Sequence, residues 1–297
     1  MAGDDGQDIA TGTRLTAGRR FWKMTGSGND FVFVDGREDG GAGLDDPTVI
    51  QRICARGTGV GADGLVILVH PREPEANIGI RYFNSDGSIA SLCGNATLCT
   101  ASLAARLGAV DPAGFELATG TGVLTARIRS GLPEFDFPPM GTVHGEWAAV
   151  KPESAEVRLG FAVAGIPHVV IRVDDVQAVD LTRRGRQVRY DRSFPDGANV
   201  NFVGPDVASD GASDGSAGWR MRTYERGVEA ETLACGTGSV ATAILLRTWG
   251  EAGPDVELKT ASGRVLGIRS EQLPDGGWRA SLRGEGRLVF EGELRDL

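Results

Sequence analysis

Leu92-Cys-Gly-Asn-Ala96 and Ala234-Cys-Gly-Thr-Gly238 stand 142 residues apart, and each lies between a strand-like segment and a run of small residues with helical spacing. At the same offset Tyr82 falls on Tyr224 and Asn84 on Arg226. The pattern reads as one unit used twice, each copy with a cysteine opening its helix. Two copies are too few for a solenoid, so it predicts an α+β fold of two pseudo-symmetric lobes facing each other across a cleft.

Working outward, Phe21 to Met24 and Phe31 to Val34 read as short strands around the turn Thr25-Gly-Ser-Gly-Asn-Asp30. Asp46 to Arg56 has helical spacing, with Asp45 or Asp46 as N-cap and Gly57 past its end. Leu65 to Val69 and Ile78 to Phe83 read as strands, Ala90 to Leu107 as a small-residue helix, and Phe115 to Thr119, Val123 to Arg129 and Glu134 to Phe137 as strands again. The second half repeats the scheme. Strands are expected at Glu156 to Leu159, His168 to Val173, Ala198 to Val203 and Trp219 to Glu225, then a helix from Gly236 to Trp249. Four more strands follow, at Val256 to Thr260, Arg264 to Ser270, Trp278 to Arg283 and Arg287 to Glu291. The expected division is an extension without periodicity over 1–18, an N-terminal lobe over 19–140 completed by the last strand in 284–297, and a C-terminal lobe over 141–283. The Gly/Ser/Asp-rich stretch 204–218 reads as a mobile surface spacer without chemistry.

Composition limits the function. The chain has 297 residues, 41% hydrophobic and 24% charged, which is ample for a globular core. Its 44 glycines, about 15% of the chain and near twice the usual share, point to many tight turns. A net charge of −9 with no basic run interleaved with aromatics argues against nucleic acid and anionic membrane as partners. The longest apolar stretch, around Val240 to Leu246, is far too short to span a bilayer, and Met1 to Ala10 carries no apolar signal core. A cytoplasmic protein is expected. Four cysteines (Cys54, Cys93, Cys99, Cys235) make no disulfide scaffold, and with three histidines no zinc spacing arises. No Cys-x-x-Cys is present, which disfavours a thiol oxidoreductase.

A cysteine at the first turn of a helix sits at the positive end of the helix dipole, where thiolate is favoured and free N–H groups can hold an anion such as a carboxylate. Gly94 and Gly236 allow close approach to the backbone, and Asn95 and Thr237 add side-chain donors at the same rim. Two such units would set one thiolate and one thiol on opposite faces of a substrate α-carbon: one sulfur removes the proton, the other delivers one. A single Cys-Gly is read more simply as a packed cysteine, and that reading holds for Cys54 and Cys99. The repeated pair reverses the balance.

Met24-Thr-Gly-Ser-Gly-Asn-Asp-Phe31, Gly59-Val-Gly-Ala-Asp-Gly64, Arg81-Tyr-Phe-Asn-Ser-Asp-Gly87, Leu92-Cys-Gly-Asn95, Pro195-Asp-Gly-Ala-Asn-Val-Asn-Phe202, Tyr224-Glu-Arg-Gly-Val228 and Thr232-Leu-Ala-Cys-Gly-Thr-Gly238 together resemble the diaminopimelate epimerase family in order and spacing, over residues 23 to about 250. The resemblance implies two lobes, each a mixed β-barrel-like sheet around a central helix, with the site in the cleft between them. It implies Cys93 and Cys235 as the acid/base pair, with neither pyridoxal phosphate nor metal as cofactor. The implied reaction converts LL- to meso-diaminopimelate, for lysine and peptidoglycan precursors. Asn29, Asn84, Asn199, Glu225 and Arg226 match the family's substrate-contacting positions, and Gly94, Asn95, Gly236 and Thr237 its carboxylate-binding helix starts. Arg226 suits a distal carboxylate, and Glu225 with the asparagines a distal ammonium. Glu225 with Arg226 also reads as a surface ion pair, Asn84 as a turn residue, and His168 as either a base behind Glu225 or a structural histidine after Pro167.

Two motifs depart from the family. Gly165-Ile-Pro-His168 replaces Gly-Asn-Pro-His, and Cys93-Gly-Asn-Ala-Thr-Leu-Cys99 replaces Cys-Gly-Asn-Gly-x-Arg-Cys. Ile166 cannot hydrogen-bond, so the catalytic end is intact while the specificity end is altered. The sequence therefore leaves three readings open: diaminopimelate as substrate, a paralogous racemase of another amino acid, or a non-catalytic amino-acid-binding protein of the same fold. Oligomeric state, a homodimer included, is open too.

Overall fold

The computed structural model describes residues 18–90, 93–141, 143–206 and 218–295. Apart from Gly18, the expected extension lies outside the described residues, as do Leu92 and 207–217 of the spacer. The chain forms two compact units, one of residues up to Phe135 together with those from Glu285 onward, the other Asp136–Gly284.

In the first unit the order is β1 (Arg20–Gly26), β2 (Asn29–Asp35), α1 (Pro47–Cys54), β3 (Gly64–Val69), β4 (Ile78–Asn84), β5 (Ile89–Ala90), α2 (Gly94–Arg106), β6 (Phe115–Thr119), β7 (Gly122–Arg129) and β8 (Leu132–Asp136), with β17 (Arg287–Glu293) from the chain's far end. β2 and β3 are parallel, as are β4 and β6, and the remaining neighbours are antiparallel. β17 pairs with β1, Arg20 opposite Glu293. Asp46 caps α1 by accepting from Thr48 N at 2.7 Å, and Pro47 follows at the first helical position. Val49, Ile50 and Ile53 of that helix pack on Phe21, Val32, Leu65 and Ile67 of the sheet. α2 packs against β1, β4, β7 and β17. β3 is buried along nearly its whole length and is correspondingly apolar.

The second unit repeats this succession with β9 (Glu156–Ala164), β10 (Ile166–Val173), α3 (Leu181–Arg189), β11 (Asn199–Pro205), β12 (Trp219–Glu225), β13 (Ala230–Thr232), α4 (Gly236–Thr248), β14 (Asp255–Lys259), β15 (Val265–Gln272) and β16 (Trp278–Arg283). β10 and β11, then β12 and β14, are its parallel pairs. α4 packs against six strands and buries Val240 to Leu246 completely. Each of its large aliphatic side chains contributes about 1.5–3 kcal/mol by leaving water.

Three local expectations need correction. Ala90 to Leu107 is too long a helix, because Ile89–Ala90 pairs with β4 and Cys93 is the N-cap. The Asp46 helix ends at Cys54. α3 was not foreseen: it is rich in arginine, carries Gly185 at its centre, and offers only Leu181 and Val188 as apolar anchors. Tertiary contacts account for it. Arg184 is buried and clamps Glu156 through Nε at 2.6 Å and Nη2 at 2.8 Å, and a Cβ on Gly185 would lie 2.5 Å from the Tyr224 Cβ.

Candidate active site

The two Cys-Gly segments open α2 and α4, helices of 13 residues each whose bounds differ by the same 142 residues as the cysteines. Cys93 and Cys235 are the N-caps, with extended backbones (φ −134°, ψ 116° and φ −126°, ψ 107°). Their carbonyls accept the first helical bonds, from Thr97 N and Ser239 N at 2.9 Å. Gly94 and Gly236 are the first helical residues, where the N–H groups have no partner within the helix.

In the first unit Asn29 and Asn95 are brought together. Asn95 Nδ2 donates to Asn29 Oδ1 at 2.6 Å, and Asn29 Nδ2 donates to Asp63 at 2.9 Å. A carboxylate only accepts, so Asp63 sets the orientation of both amides and leaves Asn95 Oδ1 buried without a partner. Arg56 holds Asp63 at 2.6 Å and Asp30 at 2.7 Å, with Lys23 also on Asp30. Burial would push the Asp30 carboxyl up, but hydrogen bonds from Arg56 and Lys23 outweigh it and hold it below the ordinary range. Asn84 is the last residue of β4, its Nδ2 donating across the turn that follows to Ser88 Oγ at 2.9 Å. A cavity of about 480 Å³ in this unit is lined by Cys93, Ala96, Thr97, Tyr82 and Arg81 among others.

In the second unit Asn199 is fully buried and joins two other candidates. Its Oδ1 accepts from Arg226 N at 2.7 Å, and its Nδ2 points at the Cys235 sulfur 3.8 Å away. Gly238 N donates to that sulfur at 3.4 Å, and Thr237 Oγ1 lies 3.5 Å from it. Glu225 accepts from Thr232 Oγ1 at 2.7 Å, and burial raises its carboxyl. The Arg226 guanidinium reaches the Asp196 carbonyl at 3.3 Å. His168 lies beside Asn199 in the parallel register of β10 and β11 but does not hydrogen-bond Glu225: its Nδ1 meets Asn201 Nδ2 at 3.2 Å, and its Nε2 is buried without a partner. Burial first, and the Arg226 charge second, bring its pKa down to about 3, so the ring is neutral.

The remaining cysteines behave as packing residues. Burial pushes the Cys54 thiol up to about 11 and the Cys99 thiol well above its ordinary value. Sequence reasoning missed Asp63 and Asn201 as orienting groups, although both lie inside quoted motifs, because what each orients becomes visible only once strands are paired. Among the described residues no cluster of three or more His, Cys, Asp or Glu is placed to hold a metal ion, and no helix is long and apolar enough to cross a membrane.

The sequence profile described as diaminopimelate epimerase matches residues 21–134 and 161–274. A protein named diaminopimelate epimerase from Gemmatimonas aurantiaca is 48% identical, over 93% of this chain and 99% of its own. One of the same name from Aquifex aeolicus is 38% identical, over 93% and 98%. Among solved structures, a PhzF-family phenazine biosynthesis protein from Bacillus anthracis matches with TM-score 0.70 at 16% identity, covering 93% of this chain and 98% of that one. A hydroxyproline epimerase from Agrobacterium vitis matches with TM-score 0.65 at 16% identity, covering 93% and 92%. These two likenesses establish the shared fold.

Proposed function

The chain belongs to the diaminopimelate epimerase family and is an isomerase acting on diaminopimelate, and we propose that it does so by a two-base mechanism in which Cys93 and Cys235 serve one α-carbon. One cysteine, as thiolate, takes the α-proton, and the electron pair of the broken C–H bond moves toward the carboxylate. The other, as thiol, gives its proton to the opposite face and is left as thiolate. The stereocentre is inverted, the number of protons is unchanged, and the two sulfurs have exchanged roles. Charge developing on the carboxylate is stabilised by the free N–H groups at Gly94, Asn95, Gly236 and Thr237.

The observation that carries this reading is the duplication itself: both cysteines cap helices of equal length, whereas Cys54 ends α1 and Cys99 lies within α2, each with its thiol raised by burial. Donors around Cys235 favour its thiolate. Asn29, Asn84, Asn199, Glu225 and Arg226 bind the substrate's polar groups, Arg226 taking the distal carboxylate. The chemistry uses side chains and backbone alone, without pyridoxal phosphate or metal. Free thiols suit a reducing cytoplasm, where this step serves lysine biosynthesis.

Deuterium exchange from D₂O into diaminopimelate, followed by NMR, tests it. Wild type should exchange and invert; Cys93→Ala and Cys235→Ala should each abolish inversion, and Cys54→Ala and Cys99→Ala should affect stability alone. Inversion by Cys93→Ala at near wild-type rate would end the paired-thiol mechanism.

A further inference from the structure

His168, Asn199, Asn201 and Thr223 make a buried polar patch beneath the start of α4. His168 is opposite Asn199 in the parallel β10–β11 register, and Thr223 is opposite Asn201 in the antiparallel β11–β12 register, so the four side chains project on one face. All are buried, His168 and both asparagines completely. Asn199 turns its Nδ2 toward the Cys235 sulfur at 3.8 Å. Asn201 packs against the first turn of the helix: a Cβ on Gly238 would lie 2.3 Å from Asn201 Oδ1 and 3.2 Å from that same sulfur. Asn201 and Cys235 thus flank one glycine. In the first unit the matching parallel register sets Phe31 opposite Gly64 and Phe33 opposite Val66, all apolar, so the patch belongs to the Cys235 unit and is no requirement of the fold.

The hydrogens of the patch follow by elimination. The Val169 carbonyl only accepts, so the Asn201 NH₂ is the group that meets it, at 3.2 Å, and Asn201 Oδ1 accepts from Thr223 Oγ1 at 3.0 Å. The same NH₂ meets His168 Nδ1 at 3.2 Å, so that nitrogen must offer its lone pair. The one hydrogen of the ring is then on Nε2, which is buried without a partner. A charged ring, with hydrogen on both nitrogens, would set donor against donor at Asn201. The ring's pKa of about 3, lowered by burial first and the Arg226 charge second, agrees.

We propose that Asn201 is a positioning residue for the Cys235 half of the reaction: it keeps the His168 hydrogen on Nε2, so that the histidine serves as a fixed, buried hydrogen-bond donor on the face beneath the α4 start and not as a base. This rests on reading Cys235 as one of the two bases. Negative charge gathers at that helix start during the reaction, and a donor that takes up no proton can help to hold it without competing for the α-proton.

Nitrogen NMR of the full chain carrying isotope-labelled histidine tests it, the His168 signals being those lost in His168→Gln. Wild type should show hydrogen on Nε2 and none on Nδ1, unchanged between about pH 8 and about pH 5. In Asn201→Asp the new carboxylate can only accept, so the hydrogen should move to Nδ1 and the ring should titrate within that range. Asn201→Asp and His168→Phe should each lower kcat/KM on diaminopimelate by about tenfold, the size of one hydrogen bond. His168→Gln, whose Oε1 can accept from Asn201 while its NH₂ remains a donor, should recover most of what His168→Phe loses. Hydrogen on Nδ1 in wild type overturns the proposal even if every variant fails to fold; an unmoved tautomer in Asn201→Asp, or full activity in His168→Phe, overturns it too. Those outcomes leave the two-base reading standing. Inversion retained by Cys235→Ala would instead overturn the reading beneath it, whatever the spectra show.

Discussion

Replacing Asn199 by aspartate exchanges one NH₂ for an oxygen and should silence Cys235 out of proportion to any loss of stability. In the native protein the buried amide accepts from Arg226 N at 2.7 Å and turns Nδ2 toward the Cys235 sulfur 3.8 Å away. Aspartate keeps the acceptor for Arg226 but sets a second acid where a donor stood. Two negative charges 3.8 Å apart repel by about 4 kcal/mol at an effective dielectric near 20, which is about three pKa units. The carboxyl is the stronger acid, so it keeps the charge and the sulfur keeps its proton. Thiolate at Cys235, and with it kcat/KM, should fall by a hundredfold or more, on the order of the repulsion just worked. Asn199→Ala removes both contacts, orphans the Arg226 N–H and should lower stability by about 1–3 kcal/mol. Urea unfolding, kcat/KM and the alkylation midpoint of Cys235 in a Cys93→Ala background separate the two variants. An Asn199→Asp protein with its Cys235 midpoint within about half a pH unit of the parent and near-native turnover would refute the reasoning.

Gly185→Ala should destabilise the second unit by about 1–3 kcal/mol in urea, because the new Cβ would overlap the Tyr224 ring, Cγ at 2.7 Å; an unchanged midpoint would mean that α3 shifts freely. His168 refuses, down to about pH 3, a proton that the unfolded chain binds below 6.5, so its share of stability is complete above pH 6.5 and is lost as pH falls toward 3. The slope is about 1.4 kcal/mol per pH unit at most, so His168→Gln should lose less stability than wild type between about pH 7 and pH 5, and parallel losses would contradict it. Arg226→Ala should cost about 1.5–3 kcal/mol of transition-state binding on diaminopimelate, roughly a tenfold to hundredfold drop in kcat/KM. If wild type instead prefers a monocarboxylic amino acid by about tenfold, Ile166 faces an apolar substrate end and the substrate assignment fails.

The parts of this chain legible in its sequence are those where local chemistry and tertiary environment agree. The α1 start was readable because Asp46-Pro47 is both a cap and a first-turn signal. β3, buried along nearly its whole length, announces itself as an unbroken apolar run, whereas the equally buried β11 interrupts its apolar residues with Asn199 and Asn201. α3 was illegible because its stabilisation is non-local: a buried Arg184–Glu156 clamp and a Gly185 notch for Tyr224 look, in sequence, like a polar loop with a breaker. At the site, the cysteines and their helix starts were readable as a repeat. Asp63 and Asn201 were not read as site residues, since each acts on a residue that strand pairing brings beside it: Asn29 and His168.

The duplication is held most tightly where the chemistry lies. α2 and α4 keep the 142-residue offset at both ends, as do Tyr82 and Tyr224 on the preceding strands, whereas β6 and β14 differ by 140 at their starts and β3 and β11 by 135. Loop length varies at little cost, but the distance from strand to cysteine sets where a sulfur stands. Within that fixed frame the surroundings have diverged: Cys235 accepts from a backbone N–H and faces a buried amide, whereas Cys93 makes no side-chain cap bond to its helix. A two-base epimerase can carry such unequal halves, because the equilibrium constant ties kcat/KM in one direction to that in the other. A change at either sulfur must therefore lower both by one factor. The inequality of the halves is free to appear only in how that factor divides between kcat and KM in each direction.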